Sequence, residues 1–283
     1  MEETPRPQGT VGDTGTEPPQ PRLGRALAHT PGASGFGTPH RSDGRSPQTP
    51  RGARFADQPG HFGTTPPVPR WPALFISLCA LLFAILTWQV IAEGPLRDAD
   101  ERLGPWITGS SLPDGAAEFL ADLGGIAIAA PVLGAVVAWT AWRGRIDGVF
   151  RWWLAPLTAA VAMAAVPALV IPLKVIVDRT GPPGMDGGGF YPSGHTATAL
   201  VAYGGAALLL LPHLRGTYAR RELVIACALL NFAVGLGLVR RGYHWPLDVV
   251  AGWLLFGMVL QVMVIVIARY GRGPAEECEP AGE

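Results

Sequence analysis

Six runs of about 20 apolar residues follow one another after Pro72, at approximately 73–92, 123–142, 152–177, 196–214, 222–239 and 248–268. At about 1.5 Å per residue each is long enough to cross roughly 30 Å of hydrocarbon. No soluble core needs six such segments. Lipid offers no partner to an open backbone group, so every span must close its hydrogen bonds internally, as a helix. The expected fold is all-α: an integral membrane six-helix bundle over residues 71–270.

The flanking segments are of another kind. Residues 1–70 hold 13 of the 28 prolines and show no apolar periodicity. Such a stretch cannot bury enough apolar surface to offset ordering, which predicts a disordered cytoplasmic tail with no signal-peptide core. A short second tail is expected over 271–283. Basic and acidic residues balance at 22 each, so no global field recruits nucleic acid. Cys79, Cys227 and Cys278 are far apart and suggest neither a disulfide framework nor a zinc site.

Orientation follows from arginine. The second and fourth turns carry Arg143, Arg145 and Arg151, and Arg215, Arg220 and Arg221; Arg269 and Arg272 follow the last span. These regions share one side with the N terminus, and the positive-inside rule makes that side cytoplasmic. The first outer loop is acid-rich instead, with Glu93, Asp98, Asp100, Glu101, Asp114, Glu118 and Asp122. Four cations break the trend by falling at outer helix ends: Lys174, the only lysine, and Arg179, Arg240 and Arg241. Ionisable groups so near the membrane usually mark function.

Those cations lie in three clusters: "KVIVDRTGPP" (174–183), "YPSGHT" (191–196) and "RRGYHWPLDVVAG" (240–252). In the second, Ser193 and the free amide of Gly194 at a helix start favour an anion, and the glycine permits close approach. An ordinary N-cap would explain Ser193 but not His195. In the third, His244 and Asp248 are four apart, so the carboxylate can accept the imidazole N–H and fix its tautomer. Cations and amides that hold an anion, beside two histidines, suit phosphoryl transfer through a phosphohistidine. His244 is then the nucleophile and His195 the acid for the leaving oxygen. No metal or other cofactor is required, and the clustered cations argue against zinc.

In this order on a six-helix membrane protein, the three blocks resemble the type-2 phosphatidic acid phosphatase superfamily, which also holds vanadate-binding haloperoxidases. The family pattern is Lys-x6-Arg-Pro, Pro-Ser-Gly-His, then Ser-Arg-x5-His-x3-Asp. The resemblance covers about 73–268. It implies that Lys174, Ser193 and the Gly194 amide bind phosphate, that His195 is the acid and His244 the nucleophile, and that Asp248 orients His244. Two departures stand out: Gly181 and Leu238 occupy the positions of the family arginines, and Gly237 that of the serine. Arg179, with Arg240 or Arg241, is expected to supply the missing charge to phosphate. The expected function is a phosphatase or phosphotransferase acting on a phosphorylated lipid, phosphatidate-like or polyprenyl, at the extracytoplasmic face of the cell membrane. The alternatives are a relative that binds lipid phosphate with little turnover, and a transporter or membrane scaffold.

Overall fold

The computed structural model of the chain describes residues 70–271; the two predicted tails lie outside these residues, apart from Arg70 and Gly271. Among the described residues, six helices are long and apolar enough to cross a membrane. They are α1 (Arg70–Ile91), α4 (Ile126–Ile146), α5 (Leu154–Val177), α6 (Gly194–His213), α7 (Thr217–Arg240) and α8 (Pro246–Tyr270). No strand occurs among the described residues. The all-α, multi-pass expectation is met.

Between α1 and α4 lies the acid-rich segment expected as a loop. The structure folds it into two short helices, α2 (Pro95–Thr108) and α3 (Asp114–Asp122). Local signals for α2 are present: Pro95 sits in the first turn, where its missing N–H costs nothing, and Asp98 faces the positive helix end. Asp100 and Gly104, four apart on one face, are its buried residues. Both helices are too short and too polar to register as spans.

α6 is the central helix. It presents Ala197, Ala199, Ala202, Ala206 and Ala207 to its neighbours, all buried. Small side chains let four helices approach at once. One apolar cluster joins Ala129 and Leu133 of α4, Ala159 of α5, Ala202 and Leu209 of α6 and Met263 of α8. Another joins Val166 and Val170 of α5 with Ala197 and Val201 of α6 and Phe256 of α8. Within lipid such contacts rest on packing rather than water exclusion, and small residues at the crossings make them close. At Gly252 a Cβ would stand 3.1 Å from the Ser193 carbonyl, which brings the start of α6 directly onto α8. A π-helical turn, Leu200–Gly204, interrupts α6 just below that crossing.

Six spans between two flanking ends fix which helix ends share a side. The end of α5, the start of α6, the end of α7 and the start of α8 lie together, along with α2 and α3.

Candidate active site

The α5–α6 connection begins at Asp178, whose left-handed backbone (φ 43°) ends α5. The chain then turns inward and delivers Arg179 to the interior. It returns through Gly189, whose carbonyl accepts Lys174 Nζ at 2.7 Å. Lys174 is a half-buried side chain in the last turn of α5, with donors left over for another acceptor.

Ser193 caps α6. Its Oγ accepts Thr196 N–H at 3.3 Å and the Thr196 hydroxyl at 3.0 Å, and its own N–H is held by the Asp248 carbonyl at 3.0 Å. The capping role read from the sequence is therefore present, and the Ser193 proton remains available. Gly194 follows. A Cβ there would meet only Val170 Cγ1, at 3.8 Å, so packing within the protein does not demand glycine. His195 is exposed, and lies close enough to His244, Lys174 and Asp122 to feel their charges.

His244 precedes α8 and is buried. Its Nδ1 stands 3.4 Å from Asp248 Oδ2, and Phe190 meets the ring edge-on at 6.0 Å between centroids. Asp248, fully buried in the first turn of α8, also accepts Trp245 N–H at 3.0 Å through Oδ2. The pairing expected from the four-residue spacing is formed. Nδ1 faces the carboxylate, which leaves Nε2 as the free nitrogen. A cavity of about 300 Å³ opens on His244, lined by Gly104, Pro105, Pro182 and Trp245 among others. A second, of about 290 Å³, opens on Lys174, Gly194 and His195 between α4 and α5.

The three expected arginines are placed differently. Arg179 is buried with both terminal nitrogens taken: Nη1 donates to Asp248 Oδ1 and Nη2 to Asp100 Oδ2, each at 2.7 Å. Its guanidinium also lies 5.5 Å from the Trp245 ring centre. Its charged contacts are with Asp248, Asp100 and, at 3.8 Å, Glu101, while its buried Nε has no hydrogen-bond partner among the described residues. Arg240 donates to the Leu112 carbonyl at 3.0 Å and pairs with Asp114 at 3.0 Å. Arg241 pairs with Glu118, which also accepts the Tyr243 hydroxyl. Those hydrogen bonds, from Tyr243 first and Arg241 next, hold the Glu118 carboxyl below its ordinary range.

At two of the three departures from the family pattern an added Cβ would meet a close neighbour. At Gly181 a Cβ would overlap the Phe190 ring at 2.6 Å, and Phe190 is the ring that touches His244. Leu238 is buried in an apolar cluster with Ala121 of α3, Ala199 and Val234. At Gly237 a Cβ would lie 2.7 Å from the Ala117 carbonyl and 2.8 Å from Ala121 N. α3 therefore occupies the space beside α7 where the family pattern has serine and arginine. Asp100 is the residue that sequence reasoning missed. Its signal was weak: one carboxylate among seven, distinguished only by a glycine four residues on.

The fold and this convergence of ionisable groups at one end define a multi-pass membrane protein with a histidine–aspartate centre. The family model described as the PAP2 superfamily matches residues 155–272, a region that contains all three sequence blocks. The crystal structure titled the first transmembrane PAP2 type phosphatidylglycerolphosphate phosphatase, from Bacillus subtilis, has the same fold. Its TM-score is 0.61 at 20% sequence identity, covering 70% of this chain and 98% of that one. No curated protein matches the sequence.

Proposed function

We propose that the protein is a membrane lipid phosphatase, acting through a phosphohistidine on a phosphorylated lipid of the phosphatidate or polyprenyl class. The observation that carries this reading is the buried His244–Asp248 pair, set beside His195 and Lys174 at one end of a superfamily fold. Lys174, the Ser193 hydroxyl and the Gly194 amide hold the phosphate. The freedom for a Cβ at Gly194 supports a glycine kept for ligand approach rather than for packing.

His244 Nε2 attacks phosphorus and the bond to the lipid oxygen breaks, with His195 donating its proton to that oxygen. Water then attacks the phosphohistidine and gives a proton to His195, releasing inorganic phosphate and regenerating neutral His244. Asp248 holds Nδ1–H throughout and stabilises the positive charge that the ring gains. Arg240 and Arg241, paired with Asp114 and Glu118, flank this end without net charge and take no direct part in holding the phosphate. The arginine distribution supports an extracytoplasmic position for this end.

A second reading, a lipid-phosphate binder with little turnover, is favoured by one observation: neither Gly181 nor Leu238 supplies an arginine. Phosphate release from a lipid phosphate panel, by the purified protein in detergent, separates the two. Wild type should turn over, and His244→Ala should lose at least about 1,000-fold, as when a covalent nucleophile is removed. Acid-labile phosphate should be trapped on His244. An inert wild type that still binds lipid phosphate would establish the binder instead.

A further inference from the structure

The two oxygens of Asp248 have separate partners. Oδ2 faces His244 Nδ1, while Oδ1 accepts Arg179 Nη1 at 2.7 Å. Beyond Arg179 stands Asp100 of α2. Its Oδ2 accepts Arg179 Nη2 at 2.7 Å, and its Oδ1 accepts the Leu247 N–H at 2.9 Å. Side-chain exposure is 0% for Arg179 and Asp248 and 1% for Asp100, so water screens none of these contacts.

The stoichiometry matters. One guanidinium beside Asp248 alone would neutralise it and weaken its attraction for the imidazole. A second carboxylate on the same guanidinium shares that cation and leaves the trio with a net negative charge facing His244. Hydrogen-bonded partners behind a catalytic group tune it in this way and lock its rotamer. Asp100 also grips the backbone of Leu247, in the first turn of α8, one residue from Asp248. The same side chain thus fixes both the cation and the turn that carries the acceptor. Two further contacts stiffen the frame: Trp245 Nε1 donates to the Thr180 carbonyl at 3.1 Å, and Gly104 of α2 lies against the Trp245 ring.

We propose that Asp100 and Arg179 are positioning residues for the His244–Asp248 pair, so that the outer helix α2, which lies before the family-matched region, sets the orientation of the nucleophile. The proposal rests on the phosphatase reading above. Arg179 then compensates charge from behind the carboxylate rather than at the phosphate.

The test is phosphate release by the purified full chain, with kcat and KM separated. Asp100→Asn keeps an acceptor for Leu247 N–H and removes the charge. It should lower kcat about 10- to 100-fold, the range for lost partners behind a catalytic ligand, and leave KM within about twofold. In an Asp248→Asn background the same change should cost less than about threefold, because residues that act through one another are not additive. Arg179→Lys should recover part of the kcat lost in Arg179→Gln. Wild-type kcat in Asp100→Asn, equal losses in both backgrounds, or an effect confined to KM would overturn the proposal. Should Asp100→Asn not fold, Arg179→Lys decides alone: a lowered kcat at constant KM supports the proposal, and an unchanged kcat or a raised KM overturns it. Failure of the phosphatase reading has a different signature, turnover that survives His244→Ala or is absent from wild type, and it removes this proposal too.

Discussion

Two regions of the molecule pair carboxylates of the α1–α4 connection with arginines, and they differ chiefly in water. In the first, Asp100 of α2 and Asp248 of α8 hold Arg179, these three side chains being at most 1% exposed, and the partly exposed Glu101 lies farther off at 3.8 Å. In the second, Asp114 and Glu118 of α3 meet Arg240 and Arg241 at the edge of α7, where Asp114 is 67% exposed. From the sequence these arginines look alike: each breaks the positive-inside trend, and each lies within three residues of a missing family arginine. The structure separates them. A dry ion pair makes its partners interdependent, since each charge is costly without the other, whereas a wet pair is screened and exchangeable. The first region can therefore act on His244 through Asp248, and the second has little means to do so.

The largest effect should come from breaking the dry region. Arg179→Ala leaves two buried carboxylates uncompensated and should destabilise the protein by about 3–5 kcal/mol, or force a proton onto one of them. Thermal unfolding in detergent measures it. A loss under about 1 kcal/mol would mean that the region behaves like the wet one.

A smaller effect concerns pH. Burial pushes the Asp100 carboxyl up to about 6, against the pull of Arg179 and the Leu247 N–H, from an ordinary value of 3.8. The folded state then holds this proton more tightly than the unfolded chain does. The resulting stabilisation is full below about 3.8 and disappears as pH rises through about 6; two units correspond to at most about 3 kcal/mol. Unfolding midpoints between pH 4 and 7 should show a downward component with rising pH that Asp100→Asn abolishes. An identical profile in that variant would remove Asp100 as its source.

At the α3–α7 contact, Gly237→Ser restores the family residue but places Cβ 2.7 Å from the Ala117 carbonyl. Overpacking against backbone should cost about 1–3 kcal/mol, with no gain in turnover. Increased activity would show that α3 yields easily and that the departure is not steric. The smallest change is expected from Arg240→Ala, which should alter kcat/KM by no more than about threefold and lose that effect in high salt. A 100-fold fall in kcat would make Arg240 a phosphate ligand and erase the contrast between the two regions.

Much of the site is local in sequence, and for that reason it was legible. His244 and Asp248 meet because four residues make one turn. Ser193 caps α6 because a serine at a helix start has an orphan N–H within reach. The six spans follow from apolar length alone, since lipid permits no other backbone solution at that depth. The two short helices between α1 and α4 were harder to see. α2 and α3 are short and polar, and they hold their shape by resting on α8 and α7 rather than by any strong local pattern.

What the sequence determined by itself is the set of elements and contacts separated by about one turn: six spans, the cap, and the histidine–aspartate pair. Where Arg179 points was decided by tertiary structure, because Asp100 and Asp248 lie 79 and 69 residues from it in the chain. The same holds for Gly181 and Gly237, where an added Cβ would run into Phe190 and α3, and for Leu238, which is buried in an apolar cluster beside Ala121. A charge's role depends on which partner is nearest and on how much water remains between them. Both are properties of the packed bundle, and neither has a period that a sequence can display.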